Sequence, residues 1–291
     1  MDTRGVTDER PLVRLAPAKL NLTLDVLGRR PDGYHEIRSA MVPVSLFDRL
    51  EASPHDGLSV DNPVVASRED LVLAAARRLR EASGTTRGAH ITVTKDIPMG
   101  AGLGGGSSDA AAALLLLNDL WHTGADASDL ARVGAGLGSD VPFFLFGRPA
   151  VVGGRGEQIV DAFQAPDLTF VVLKPPEGLD TACVYSHCET GGGHRTERFL
   201  TARKAGAVDL AGNDLEGAAR RLLPSLDGLF AAALPYEAHL TGSGSALFVA
   251  FADASEADAF CARFSPPVFA RLVRPLEEMP LGRANASTGR A

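Results

Sequence analysis

One stretch of the sequence limits the possible folds more than any other. Residues 98–108 read PMGAGLGGGSS and lead directly into a segment rich in alanine and leucine, residues 110–120. Glycine disfavours helices and strands, whereas alanine and leucine favour helices. Ser107, Ser108 and Asp109 are residue types that cap helix N-termini. We therefore predict an irregular, glycine-rich loop that ends at a helix over residues 110–120.

A glycine-rich loop that leads into a helix is typical of an anion-binding site. Backbone N–H groups can converge where side chains are missing, and the helix dipole favours negative charge at the helix N-terminus. A flexible glycine linker is the alternative, but linkers do not normally end on a capped, alanine-rich helix. We predict that the loop binds the phosphates of a nucleotide through Pro98, Met99, Gly100, Ala101, Gly102, Leu103, Gly104, Gly105, Gly106, Ser107 and Ser108.

Two common phosphate-binding motifs fit this loop poorly. A Walker A motif requires GxxxxGK[ST], and no lysine follows these glycines. Gly100, Gly102 and Gly105 do match GxGxxG, the dinucleotide-binding fingerprint, which should leave a strand directly. Here Pro98 and Met99 intervene, and the segment that follows is helical. An oxidoreductase that binds NAD(P)H is therefore disfavoured, but it stays open as an alternative.

Polar and apolar residues alternate in residues 15–26, as expected for a β-strand. One face of such a strand would carry Leu20, Leu22, Leu24 and Val26, and the other face would carry Lys19, Asn21, Thr23 and Asp25. Three of the polar groups could then address one site. Residues 28–34 are rich in glycine, proline and aspartate and predict a turn, so that the strand forms a hairpin with a second strand around residues 36–44.

The rest of the chain predicts an α+β fold. Helical composition and strand-like alternation follow one another without the regular order of a doubly wound sheet. The predicted strands are residues 90–95, 168–173 and 239–251, the last of these around a Gly-Ser-Gly turn. The predicted helices are residues 69–82, 128–135, 215–223 and 254–264. Residues 147–156 shift to glycine, proline and arginine, which indicates a domain boundary there.

Composition argues against several classes of function. The net charge of −7 and the lack of a long basic run disfavour nucleic acid binding. Apolar runs are too short to span a bilayer, and residues 1–10 lack the pattern of a secretory or transit peptide. Cys183, Cys188 and Cys261 lack CxxC spacing and fit neither a disulfide framework nor a structural zinc site. We expect a cytoplasmic protein with reduced thiols.

Three residues are chemically suggestive but carry no functional claim alone. Lys19 would more often be a solvated residue on the outer face of a strand than a catalytic one. Asp140 lies beside Pro142, where a helix N-cap is a sufficient structural reason for an aspartate. His35 lies in a turn, where histidine is commonly just exposed. Their combination with the glycine-rich loop is what supports a functional interpretation.

Several segments of the chain match the motifs of one known family. They are PAKLNLTLD at residues 17–25 followed by RPDGYHEI at residues 30–37, PMGAGLGGGSSD at residues 98–109, LGSDVPF at residues 137–143 and LTGSGSA at residues 240–246. With these motifs the chain resembles the GHMP kinases along nearly its whole length. The glycine-rich loop marks the superfamily, and the segment Asp32-Gly-Tyr-His35 narrows the match to one member of it.

The resemblance implies a two-domain α+β fold. The N-terminal domain, residues 1–153, would be of the ribosomal-S5-like type and would bind ATP. The C-terminal domain, residues 154–291, would be ferredoxin-like and end in a disordered tail. The active site would lie between these two domains.

The resemblance also implies a reaction. The γ-phosphoryl group of ATP would be transferred to the tertiary 2-hydroxyl group of 4-diphosphocytidyl-2-C-methyl-D-erythritol, in the non-mevalonate route to isoprenoids. Lys19 and Asp140 match the catalytic pair, with Asp140 as the general base and Lys19 as the orienting cation. Mg²⁺ would bridge the β- and γ-phosphates and be held largely by ATP and water, so that no dedicated metal site is expected.

The same resemblance places the substrate. Tyr34 would stack on the cytosine, His35 would hydrogen-bond its edge, and Tyr185 would lie against the base, although Tyr185 can also be a plain core aromatic. The Gly242-Ser-Gly244 turn would line the phosphate side, although it can equally be a hairpin turn. The expected substrate-binding residues are Asn21, Tyr34, His35, Thr181, Tyr185, Gly242 and Ser243. The expected assembly is a monomer or a weak homodimer that contacts neither nucleic acid nor membrane.

Other functions stay open at this point. Homoserine kinase, mevalonate-type kinases and diphosphomevalonate decarboxylase share the glycine-rich loop, and residues 32–35 are the feature that discriminates against them. A catalytically silent member of the family, which binds nucleotide and acts as a regulator, is a further alternative. The presence of both Lys19 and Asp140 argues against such a regulator.

Overall fold

The structure is a computed structural model that describes residues 11–64, 70–190 and 193–280. The first part of the chain contains the strands β1 (Leu12–Arg29), β2 (His35–His55), β3 (Leu58–Asp61), β4 (Gly88–Thr94), β5 (Ala150–Gly153) and β6 (Gln158–Ala162). Its helices are α1 (Leu71–Ser83), α2 (Gly105–Trp121), α3 (Ala127–Ala135) and α4 (Val141–Phe146). The second part contains the strands β7 (Thr169–Lys174), β8 (Gly212–Asn213), β9 (Ala238–Leu240), β10 (Leu247–Phe251) and β11 (Phe269–Val273). Its helices are α5 (Thr181–Ser186), α6 (Arg195–Lys204), α7 (Glu216–Leu222), α8 (Ser225–Ala233) and α9 (Ala254–Cys261).

A hairpin of two long strands, β1 and β2, forms the centre of the first sheet. The two strands pair antiparallel over most of their length, which confirms the predicted hairpin. β4 and β3 extend the sheet along one stretch of β2, β5 and β6 along another, and β8 pairs with β1. Helices pack on this sheet and share with it a core that includes Leu50, Ile91, Leu114, Leu117 and Phe143.

The second sheet has the order β11-β7-β10-β9 and is antiparallel throughout. Along the chain its elements run β7, helices, β9, β10, α9 and β11, which is the β-α-β-β-α-β arrangement of ferredoxin-like domains. Phe170 and Phe248 of this sheet pack in one cluster with Leu20 and Leu22 of β1. The predicted α+β fold is confirmed, and the two sheets share part of their core.

The structure does not test the predicted domain boundary. β6 follows the predicted domain boundary and pairs with β5 of the first sheet. The boundary between residues 153 and 154 stays a prediction. Residues 1–10 and the expected tail, residues 283–291, lie outside the described residues. Within the described ranges, none of the helices combines the length and the apolar character that a bilayer crossing requires.

The helix after the glycine-rich loop begins earlier than the sequence predicts. α2 begins at Gly105, and Gly104 occupies its N-cap position with a φ of 74° and no side-chain cap. The prediction that Ser107, Ser108 or Asp109 caps this helix is therefore wrong. These three residues lie within the first turns of α2.

Tertiary packing explains why glycines occupy the start of α2. A Cβ atom on Gly104 would lie 3.0 Å from Cγ of Lys19, and one on Gly105 would lie 3.0 Å from Cγ2 of Ile97. A glycine inside a helix costs only about 1 kcal/mol relative to alanine. The close approach of these neighbours outweighs that cost, so the helix extends into the glycine run.

Thr23 and Asp25 of β1 bind α6 of the second part of the chain. Asp25 is fully buried, and its carboxylate accepts hydrogen bonds from the N–H groups of Arg195 at 2.8 Å and Thr196 at 2.9 Å. The hydroxyl oxygens of Thr23 and Thr196 lie 2.8 Å apart. The N-cap residue of α6 itself, His194, makes no side-chain cap. Asp25 therefore caps a helix from a distant strand and fixes the second part of the chain to β1.

Replacing Asp25 with Ala should lower the free energy of unfolding by about 2–4 kcal/mol, because α6 loses its cap and two N–H groups, one buried and one partly buried, lose their acceptor. Urea-induced unfolding followed by circular dichroism measures this loss. Asp126 also accepts hydrogen bonds from two backbone N–H groups, as the N-cap residue of α3, but it is exposed, and Asp126→Ala is the matched control with a smaller expected loss. Equal losses in the two variants would contradict a special contribution from the buried cap.

Candidate active site

A cleft of about 1440 Å³ lies where the two parts of the chain meet. Pockets for one small ligand typically measure about 300–1000 Å³, so this cleft has room for two ligands. β1, the glycine-rich loop, the start of α4, α5 and the turn between β9 and β10 line it. Every predicted site residue except Ser108 lies on this lining, namely Lys19, Asn21, Tyr34, His35, residues 98–107, Asp140, Thr181, Tyr185, Gly242 and Ser243.

Lys19 lies on the buried floor of the cleft, with 4% of its surface exposed. Its Nζ lies 3.9 Å from Oδ2 of Asp140 and donates a hydrogen bond to Oδ1 of Asn21. Asn21 in turn donates from Nδ2 to Oγ of Ser39 at 2.7 Å. Burial lowers the pKa of Lys19, and the negative charge of Asp140 opposes that shift. The structure thus brings a cation, a carboxylate and an amide together at one point.

Asp140 does not use its carboxylate to cap a helix. It occupies the N-cap position of α4, ahead of Pro142, but its side chain makes no capping hydrogen bond. Helix capping, the structural explanation for an aspartate at this position, therefore does not apply. The side chain is 29% exposed and forms an ion pair with Lys19. Asp140 presents a carboxylate to the cleft beside a buried ammonium group.

Backbone hydrogen bonds fix the glycine-rich loop to both parts of the chain. On one side, the N–H of Lys19 donates to the carbonyl oxygen of Leu103 at 3.0 Å. On the other side, the N–H of Ser245 donates to the carbonyl oxygen of Gly100 at 3.1 Å. The loop is therefore held between β1 and the β9–β10 turn.

Close packing explains two of the glycines in this region. Gly102 has a φ of 72°, and a Cβ atom there would overlap the carbonyl oxygen of Thr241 and lie 2.9 Å from the nitrogen of Gly244. Gly242 has a φ of 54°, and a Cβ atom there would lie 2.7 Å from the carbonyl oxygen of Gly102 and 3.0 Å from Nζ of Lys19. A larger residue does not fit at these two positions, because the loop, the turn and Lys19 are in direct contact.

The N-terminus of α2 opens into the cleft. The first N–H groups of a helix have no acceptor within the helix, and in α2 they belong to Gly105, Gly106 and Ser107, which all line the cleft. Such N–H groups, together with the helix dipole, favour a bound anion. The N-terminus of α2 therefore offers hydrogen-bond donors to a ligand in the cleft.

Lys95 lies at the same end of the cleft and was not identified from the sequence. Its ammonium group contacts the carboxylates of Asp48 and Asp109, the second at 2.6 Å. Burial raises the pKa of Asp109 to about 7, although the charge of Lys95 opposes this shift. Among the described residues, Oδ1 of Asp109 and Oγ of Ser108 are buried without a hydrogen-bond partner. Lys95 ends a predicted strand, and nothing in its spacing points to Asp48.

The three predicted base-binding residues line the cleft, and two of them are in ring contact. The rings of His35 and Tyr185, which come from the two parts of the chain, stack with their centroids 5.3 Å apart and an angle of 27° between them. Burial lowers the pKa of His35, with a smaller effect from Arg29, and burial raises the pKa of Tyr185. Tyr34 is 52% exposed. Tyr185 packs on the core of the second part and lines the cleft as well.

Thr181 and Ser243 join α5 to the β9–β10 turn. Their hydroxyl oxygens lie 2.9 Å apart, within hydrogen-bond distance. The turn that contains Gly242 and Ser243 does connect two antiparallel strands as a hairpin. It also contacts the glycine-rich loop, so its role as a hairpin and its place in the cleft are compatible.

Further polar residues of the cleft come from separate parts of the chain. Nothing in their spacing along the sequence points to a common site. They are Arg29, Asp32, Asn62, Asp70, Ser139, Arg155 and Asp180. In the part of the chain that the structure describes, no group of three or more His, Cys, Asp and Glu side chains is arranged to hold a metal ion.

Two family models match the chain on the two sides of this cleft. The model described as the GHMP kinases N terminal domain matches residues 70–148, which include the glycine-rich loop and Asp140. The model described as GHMP kinases C terminal matches residues 199–266, which include the β9–β10 turn.

Curated relatives match most of the chain. The 4-diphosphocytidyl-2-C-methyl-D-erythritol kinase of Pelotomaculum thermopropionicum is 41% identical over 268 residues, which are 87% of this chain and 93% of the relative. The enzyme of the same name from Cupriavidus taiwanensis is 39% identical over 273 residues, which are 91% of this chain and 93% of the relative.

Solved structures extend the comparison. The crystal structure of a 4-(cytidine 5'-diphospho)-2C-methyl-D-erythritol kinase matches with a TM-score of 0.78 and 38% identity, over 90% of this chain and 99% of that chain. A homoserine kinase from Cytophaga hutchinsonii has a TM-score of 0.72 at 18% identity, over 96% and 98% of the two chains, and shares the fold. By these similarities, the chain belongs to the GHMP kinase family and, within it, to the 4-diphosphocytidyl-2-C-methyl-D-erythritol kinases.

Proposed function

We propose that the protein transfers the γ-phosphoryl group of ATP to the 2-hydroxyl group of 4-diphosphocytidyl-2-C-methyl-D-erythritol. The position of Lys19 carries this proposal. Its Nζ lies 3.9 Å from the carboxylate of Asp140, and its Cγ lies 3.0 Å from where a Cβ atom of Gly104 would be. A carboxylate, an ammonium group and the glycine-rich loop therefore meet at one point, which supports the proposal. We place the reaction in the non-mevalonate route to isoprenoids and in the cytoplasm, where unpaired cysteines stay reduced.

Asp140 is the general base of the proposed reaction. An alcohol is a poor nucleophile at neutral pH, and a carboxylate within hydrogen-bond reach accepts its proton as the oxygen attacks phosphorus. The ammonium group of Lys19 orients Asp140 and offsets the negative charge of the phosphoryl oxygens. Asn21 accepts a hydrogen bond from Lys19 and thereby fixes the direction of the ammonium group.

The glycine-rich loop and the start of α2 bind the phosphates of ATP in this proposal. The N–H groups of Gly105, Gly106 and Ser107 are the donors at the helix N-terminus. Mg²⁺ prefers oxygen ligands and keeps several waters, so it needs few protein groups. Asp109, whose Oδ1 is buried without a partner, is the residue that would hold the ion or one of its waters. The bound ion would supply neutralisation of charge on the β- and γ-phosphates.

Tyr34, His35 and Tyr185 take the cytosine base in this proposal. Stacking of a base on an aromatic side chain is typically worth about 1–3 kcal/mol. The approach of His35 and Tyr185 to 5.3 Å supports a base site here, because it brings rings from both parts of the chain to stacking distance. The ring nitrogens of His35 then provide the polar contact with the edge of the base.

A turnover assay tests the proposal directly. Purified protein, Mg²⁺ and ATP are mixed separately with 4-diphosphocytidyl-2-C-methyl-D-erythritol, homoserine and mevalonate, and ADP release is followed by a coupled reaction. We expect turnover with the cytidine substrate alone. Turnover with homoserine or mevalonate instead would be consistent with the family but would overturn the proposed acceptor. Binding of ATP without turnover of any acceptor would favour a catalytically silent regulator.

A further inference from the structure

Arg155 lies against an aromatic ring of the cleft. It belongs neither to the proposed catalytic pair nor to the proposed phosphate and base sites. Its guanidinium carbon lies 4.7 Å from the ring centroid of Tyr34. A guanidinium group over an aromatic face within about 6 Å is attracted by the ring quadrupole. Tyr34 is 52% exposed and lines the cleft, so the contact with Arg155 leaves much of this residue accessible to a ligand.

The turn that carries Arg155 is held in place at several points. The N–H of Ile37 donates to the carbonyl oxygen of Gly154 at 2.7 Å, and the N–H of Arg155 donates to a carboxylate oxygen of Glu157 at 2.7 Å. A Cβ atom on Gly154, whose φ is 67°, would lie 2.7 Å from the Glu157 carboxylate. A Cβ atom on Gly156 would lie 3.4 Å from Oδ1 of Asp140. The turn therefore lies between Tyr34 and Asp140 and is fixed to β2.

The guanidinium group of Arg155 is also fixed at its far end. Its Nη2 donates to the carbonyl oxygen of Ala135 at 3.3 Å, and Ala135 is the last residue of α3. A cation at the C-terminus of a helix is favoured by the helix dipole. The side chain of Arg155 is 28% exposed, so it is partly shielded from water. Its Nε also lies 3.8 Å from Oε2 of Glu157, so the contacts with Ala135 and Glu157 hold the guanidinium group in place against Tyr34.

We propose that Arg155 is a positioning residue that holds the Tyr34 ring at the angle needed to stack on the base of a cytidine nucleotide. This proposal rests on the proposed function, because it takes Tyr34 as a base-binding residue. Arg155 acts on one face of the ring and the base binds on the other. The gain in nucleotide affinity comes from a ring that is oriented before the nucleotide arrives.

Direct contact between Arg155 and the phosphates of the nucleotide is the competing explanation. The two explanations differ for a ligand that has the base but no phosphate. If Arg155 acts through Tyr34, its loss lowers the affinity for cytidine and for cytidine 5'-diphosphate by the same factor. If Arg155 binds phosphate, its loss lowers the affinity for cytidine 5'-diphosphate and leaves the affinity for cytidine unchanged.

Isothermal titration calorimetry with cytidine and with cytidine 5'-diphosphate separates these cases. In Arg155→Met we expect the dissociation constants of both ligands to rise by the same factor, about 3- to 30-fold. Arg155→Lys should recover part of the loss, because lysine keeps a cation without the planar group. In a Tyr34→Leu background, Arg155→Met should have no further effect. In steady-state assays, Arg155→Met should raise KM for the cytidine substrate and leave KM for ATP unchanged.

Arg148→Met is the matched control. The guanidinium carbon of Arg148 lies 5.5 Å from the ring centroid of Phe146, and both residues are exposed and absent from the lining of the cleft. This control should bind both ligands like the wild type. A loss confined to cytidine 5'-diphosphate, a loss that persists in the Tyr34→Leu background, or no loss at all would overturn the proposal. Wild-type protein that binds neither ligand would overturn the proposed function, and this proposal with it.

Discussion

Asp140→Asn is expected to lower kcat by about 10²- to 10⁴-fold, the range that general-base catalysis contributes. Asparagine has nearly the same shape as aspartate but cannot accept the proton of the attacking hydroxyl group. The fold should tolerate the change, because the side chain is 29% exposed and caps no helix. KM for ATP should change little, since we propose that the glycine-rich loop, and not Asp140, binds the nucleotide. Steady-state kinetics with both substrates measure the two effects separately.

The pH dependence gives a second readout of the same pair. Asp140 raises the pKa of Lys19, which burial lowers below its ordinary value of 10.5. The loss of wild-type activity toward alkaline pH should therefore begin below pH 10.5, as Lys19 loses its proton. In Asp140→Asn the supporting charge is gone, and the decline of the residual activity should move to lower pH. An unchanged alkaline limb would contradict the electrostatic coupling of the two residues.

Asp161→Asn is the control for a simple loss of one negative charge. Asp161 lies on β6, is exposed and is not part of the lining of the cleft. It should show wild-type kinetics. An Asp140→Asn variant with wild-type kcat would rule out Asp140 as the general base. The proposal that the glycine-rich loop binds phosphate would still stand.

The alternation in β1 predicts that Lys19 and Asn21 lie side by side, as the structure shows, but it does not predict where the residues after Asn21 point. A strand period of two places Lys19, Asn21, Thr23 and Asp25 on one face. Lys19 and Asn21 do meet in the cleft, whereas Thr23 and Asp25 bind α6. The pairing of β1 with β2 shifts register between Asn21 and Thr23. Such a bulge bends the strand and redirects the side chains that follow it, which an alternation pattern does not reveal.

Long-range contacts account for the features that the sequence did not indicate. The start of α2 depends on Lys19 and Ile97, which fill the space beside the glycines. Lys95 is placed by two carboxylates, one of them from Asp48 on β2. Arg155 appeared only as part of a composition shift at a boundary, although it contacts Tyr34. Local propensity and spacing do not encode these neighbours, because each neighbour comes from a distant part of the chain.

Gly102→Ala should reduce kcat/KM for ATP by about 10²-fold or more, because the glycine-rich loop cannot keep its contact with the β9–β10 turn. A Cβ atom at this position would overlap the carbonyl oxygen of Thr241, which is backbone and cannot rotate away. The loop and the turn must separate, and a misplacement of about 1 Å at a reacting group costs about 10²-fold in rate. Alanine at a φ of 72° also costs about 1–2 kcal/mol of conformational energy. Steady-state kinetics and thermal unfolding measure the two consequences.

Gly124→Ala separates the overlap from the backbone strain. Gly124 has the same φ of 72°, but an added Cβ atom would meet nothing within 4 Å, and the residue is not part of the lining of the cleft. This variant should lose stability through the strained φ and keep wild-type kcat/KM. If Gly124→Ala lost as much activity as Gly102→Ala, a general loss of stability would explain both variants. If both kept wild-type activity, the contact between loop and turn would have no part in ATP use, and the phosphate site would have to rest on the N-terminus of α2 alone.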